Sequence, residues 1–69
     1  MKILLKEKMT GLWLQLGGLW GPNTINARVF TSSEDAIYFS EHSHRAPLHL
    51  CYRFEDKALN FEMPAVRKI

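Results

Sequence analysis

Sixty-nine residues suffice for one domain, and an apolar fraction of 46% with 12% aromatic places the chain among globular rather than disordered sequences. Nine Lys and Arg against seven Asp and Glu leave a net charge of +2, too small to imply nucleic acid or an anionic membrane as partner. Lys6, Glu7 and Lys8 interrupt the apolar run Ile3-Leu4-Leu5, and nothing approaches the roughly 18 apolar residues of a membrane span, so neither a signal-peptide core nor a membrane segment is expected and the chain reads as cytoplasmic.

Residues 2–8, KILLKEK, begin with branched and apolar side chains, which suits a strand. Met9-Thr10-Gly11 marks a turn. Residues 12–16, LWLQL, form a second apolar segment, joined through Gly17-Gly18 to Leu19-Trp20. A two-glycine link between apolar segments signals a hairpin, because such turns require positive φ. Residues 2–20 therefore read as a small antiparallel meander. Gly21-Pro22-Asn23 breaks it, since Pro22 offers no ladder donor, and Ala27-Arg28-Val29-Phe30 reads as a third strand or an extended lead into the next element.

Ser32 and Asp35 have the spacing of a capping pair, and Glu34 with Asp35 places negative charge in a first helical turn. The helix is expected over 33–42, with Ala36, Ile37 and Ser40 on one stripe, Phe39 beside it, and Glu34, Tyr38 and Glu41 opposite. His42 falls in its last turn and Ala46-Pro47 ends the region. Residues 48–55 alternate cleanly: Leu48, Leu50, Tyr52 and Phe54 face one way, His49, Cys51, Arg53 and Glu55 the other. Residues 58–63 alternate again, Leu59, Phe61 and Met63 against Asn60 and Glu62; Pro64 is expected to stop this strand and the tail from Val66 to fray.

The order is strand, strand, a possible third strand, helix, strand, strand. It implies an α+β domain over 1–69, an antiparallel sheet of four to five strands with one helix packed on one face. A core in so short a chain supplies only about 3 to 5 kcal/mol, so further support is expected. Cys51 has no partner cysteine, which leaves a metal or self-association. The many large apolar side chains favour a homodimer with two-fold symmetry.

Gly11-Leu12-Trp13-Leu14, Gly18 with Trp20, Ala27-Arg28-Val29-Phe30, the stretch SSEDAIYF at 32–39 and YRFED at 52–56 form a spaced set. It resembles small uncharacterised single-domain bacterial proteins of the mobile gene cassette type, which share a hairpin with a glycine and an aromatic, then Ala, Phe, Ser and an Ala-containing helix. The similarity spans residues 2–64. It implies this fold and a compact protein without an enzymatic motif, and brings no catalytic or ligand residue.

Candidate sites are few. His42, His44, His49 and Cys51 cluster within ten positions, but HxHxxxxHxC differs from the CxxC and HxxxH spacings that converge on zinc. Surface histidines are expected, with no metal and no cofactor. Cys51 beside His49 and Arg53 is weighed as a nucleophile and set aside, because a neighbour two along a strand is poorly aimed and no oxyanion-hole signal accompanies it. Capping accounts for Ser32, Ser33, Glu34 and Asp35, whose carboxylates repel an anion.

With Leu12, Leu14 and Leu16 facing inward, Trp13 and Gln15 face outward. Trp13, Trp20, Arg28, His49 and Arg53 are the candidate binding residues. Trp13 is open to two readings: cover for a second small cluster on the far side of the sheet, or part of an exposed patch. The expected function is a non-enzymatic module for protein–protein interaction or self-association through the aromatic, arginine-bearing face or an edge strand. The alternative is weak nucleic-acid binding through Trp13, Trp20, Arg28 and Arg53.

Overall fold

A computed structural model describes residues 1–42 and 47–66. Among the described residues the elements are β1 (Lys2–Glu7), β2 (Trp13–Leu14), β3 (Trp20–Gly21), α1 (Ser33–Glu41), β4 (Leu48–Arg53) and β5 (Phe61–Pro64), with a 3-10 turn at Lys57–Leu59. The five strands make one antiparallel sheet in the order β3-β2-β1-β4-β5. The helix lies over β1 and β4. This is the expected small α+β arrangement, and no helix among the described residues is long and apolar enough to cross a membrane.

Cross-strand register decides which residues share a face. Ile3 stands opposite Tyr52, Leu5 opposite Leu50 and Glu7 opposite Leu48, and Leu50 and Tyr52 continue to Met63 and Phe61 on β5. These residues form the side that α1 covers. Leu5, Leu50 and Leu14 are fully buried there, together with Ala36 of the helix and Phe30. Alternation sends Lys2, Leu4, Lys6, His49, Cys51 and Arg53 to the other side. A second, smaller cluster of Leu4, Ala27 and Cys51 sits there, with Trp13 packed on it.

The helix follows its sequence signals. Ser32 is the N-cap, its hydroxyl accepting from the Asp35 N–H at 3.2 Å, and Glu34 and Asp35 occupy the first turn. Ala36 is buried, Ile37 and Phe39 pack on the core beside it, and Tyr38 points out. The helix ends at Glu41, with His42 as C-cap. The expected break at Ala46-Pro47 and the position of His44 lie partly or wholly outside the described residues.

Four expectations are corrected. The third strand is Trp20–Gly21 rather than 27–30. Residues 27–30 instead cross the gap where β1 and β2 diverge: Arg28 N–H donates to Leu14 O at 2.9 Å and Phe30 N–H to Ile3 O at 2.8 Å. The second strand does not reach Leu16. That residue enters a turn closed by Gln15 N–H on Leu19 O, with Gly17 and Gly18 at φ 89° and 87°, and is left exposed with Leu19.

Strand β4 stops at Arg53, so Phe54 lies beyond the ladder, its ring stacked 6.3 Å from that of Phe61 and its N–H donating to Asn60 Oδ1 at 2.6 Å. In the same stretch Leu59 lies in the 3-10 turn capped by Asp56 and is exposed. Pro64 is the last residue of β5, so the strand ends where the sequence places its end. An edge strand needs no ladder donor at every residue, and the next residue, Ala65, is buried and donates its N–H to Leu48 O at 2.9 Å.

Candidate recognition face

The side of the sheet opposite α1 carries the chemistry. Its centre is Leu4 on β1 opposite Cys51 on β4, with Glu62 beyond Cys51 on β5. Lys6 pairs in register with Trp13 on one side and His49 on the other. The indole of Trp13 is half-buried on Leu4, Ala27 and Cys51, and two cations approach it: Lys6 Nζ at 5.5 Å and the Arg53 guanidinium at 5.0 Å from the ring centroid. Such cation–π contacts hold a flexible side chain against a fixed ring.

Glu62 gathers the neighbouring donors. Lys6 Nζ donates to its Oε1 at 2.9 Å, and His49 Nδ1 meets its Oε2 at 2.8 Å. The hydrogen bond from Lys6, then that from His49, holds the Glu62 carboxyl below its ordinary value. Beneath it, Cys51 is 4% exposed. Burial, then the Glu62 carboxylate, pushes the thiol up to about 11 against the weaker pull of Lys6 and Arg53. At neutral pH Cys51 is a protonated, covered thiol, and His49 is directed to Glu62 rather than to sulfur. That arrangement does not activate a nucleophile.

Of the five candidate residues, Trp13, His49 and Arg53 come together here. Trp20 and Arg28 do not. Trp20 packs against the helix-side core, and Arg28 lies over Phe30 and Phe39 at 4.8 and 5.3 Å from their centroids. Both readings of Trp13 survive in part: it covers the second cluster, as one of them holds, and its ring still borders solvent beside Lys6 and Arg53. His42 stands apart at the end of α1, its Nδ1 2.8 Å from Tyr38 O. Among the described residues no three His, Cys, Asp or Glu side chains converge as a metal site.

Lys2, Lys6 and Glu62 are neighbours on this face that sequence reasoning passed over. Alternation in KILLKEK and in FEMP already placed them on one face. What was missing is the β1–β4–β5 register, which depends on contacts far apart in the chain. No protein-family model, curated protein or solved structure matches this chain.

Proposed function

We propose that the chain is a non-enzymatic interaction module that binds a protein partner, including a second copy of itself, through the face opposite α1. The observation that carries the reading is the convergence of Trp13, Arg53 and Lys6 at the middle of that face. Trp and Arg concentrate binding energy at interfaces because each adds large contact area and, for Arg, a planar set of donors. Light scattering tests self-association first. A mass rising with concentration above the 8.0 kDa of one chain supports it, and 8.0 kDa throughout rejects it. Arg53→Glu is the variant of choice, since it reverses charge at the patch while leaving the cluster under Trp13 in place.

Weak nucleic-acid binding is a second reading, favoured by the two cations flanking one aromatic ring. It draws on fewer residues than the sequence implied, because Trp20 and Arg28 lie on the other side. Retardation of a single-stranded oligonucleotide at low salt, lost steeply as salt rises, supports it. No retardation at low salt removes it.

A further inference from the structure

Charge on the open face is unevenly matched. At one end Lys6 and His49 share Glu62. At the other, Lys2 stands directly opposite Arg53 in the β1–β4 register. Two cations thus occupy one cross-strand position, which costs stability relative to an opposite-charge pair. Among the described residues neither has an acidic partner. Arg53 lies over the Trp13 ring at 5.0 Å, and among the described residues no side-chain hydrogen bond engages its five N–H donors.

These two cations line a cleft of about 460 Å³. Leu4 and Ala27 form its floor, and Ile25, Val29 and Phe54 its walls. Ile25 is 85% exposed and Val29 47%, so two branched apolar side chains stand in water beside unneutralised positive charge. Lys57 adds a third cation among the lining residues and Glu55 one acid, leaving the cleft net positive.

We propose that this cleft binds an acidic, apolar peptide segment of a partner protein. Lys2 and Arg53 hold a carboxylate, Arg53 through its fork of donors, and a neighbouring aliphatic or aromatic side chain of the peptide lodges against Leu4, Ile25 and Val29. The proposal rests on the reading of this face as a protein-binding surface and gives its partner a chemistry. A polyphosphate chain fits less well. The cations Lys2, Arg53 and Lys57 sit among aliphatic lining residues rather than along a continuous basic track, so a run of phosphates finds fewer partners than one carboxylate with an apolar neighbour.

Panning a displayed library of random peptides against the intact chain tests this. Sequences joining Asp or Glu to Leu, Ile, Val or Phe are expected to enrich, and a synthetic consensus peptide should shift the amide resonances of Lys2, Leu4, Val29 and Arg53. Arg53→Glu and Lys2→Glu should each weaken that peptide by about tenfold or more. Arg28→Glu, over the helix-side aromatics, should leave it unchanged, and amide dispersion reports that each variant is folded. Enriched peptides without acids, or acidic ones that bind Arg53→Glu equally well, overturn the proposal; shifts on Trp13 and Lys6 in those cases leave the broader reading standing. Shifts at the cleft that grow with protein concentration alone assign it to a second copy and also overturn it. Competition by a single-stranded oligonucleotide at low salt reassigns it to nucleic acid. No enrichment overturns it as well, and combined with a constant 8.0 kDa mass leaves the broader reading only a folded partner other than a second copy.

Discussion

Cys51 is where local environment and stability are most directly linked. Its thiol sits under Glu62 and against Leu4, and burial raises it from 9.0 to about 11. Proton counting gives the sign. Below 9.0 folded and unfolded chains both hold the proton, so the shift costs nothing. Between 9.0 and about 11 the unfolded chain releases it while the folded chain keeps it, and stability falls as pH rises. The stability difference between the wild-type protein and Cys51→Ala should therefore narrow across that window, by on the order of 2 kcal/mol, in urea titrations at successive pH values. A difference independent of pH would show that the thiol is better solvated than its 4% exposure implies. The same burial makes iodoacetamide labelling of the native protein slower than that of free cysteine.

At the scale of elements, what the sequence made legible tracks the range of the forces involved. Capping acts within one turn, so Ser32 and the acidic first turn located α1 to within a residue. Ser32→Ala should cost about 1 kcal/mol, measured by thermal or urea unfolding, because the Asp35 N–H loses its acceptor. Alternation likewise acts locally and gave the two faces of β4, the most regular strand. Leu16 and Leu59 went the other way. Each sits in an apolar pattern of suitable period, yet the first is turned out by a glycine turn and the second by the Asp56-capped 3-10 turn. Turn chemistry a few residues away overrode hydrophobic pattern. The crossing of 27–30 from Leu14 to Ile3 depends on where β1 and β2 part, which no local signal encodes. The same limit hid Glu62 as the partner of Lys6, fifty-six positions away.

For the whole molecule, two clusters of unequal depth lie on either side of one thin sheet, and this asymmetry orders the expected effects of substitution. Leu50→Ala opens a cavity at a fully buried position among Leu5, Leu14 and Ala36, and should cost about 2 to 5 kcal/mol, most or all of the stability of a domain this small. Trp13→Ala strips cover from only Leu4, Ala27 and Cys51, so urea unfolding should show a smaller but definite loss of about 2 kcal/mol. That loss makes Trp13 a poor probe of binding taken alone, and Arg53→Glu the cleaner one. The thin second cluster also bears on self-association. If a second copy covers the open face, association and folding are linked by mass action, and the melting temperature rises with protein concentration. A slope present in the wild-type protein, and abolished by Arg53→Glu without loss of stability at high dilution, places the contact on this face. A melting temperature independent of concentration means that the sheet, with one helix on one side and Trp13 on the other, is stable by itself, and leaves the open face to a different protein.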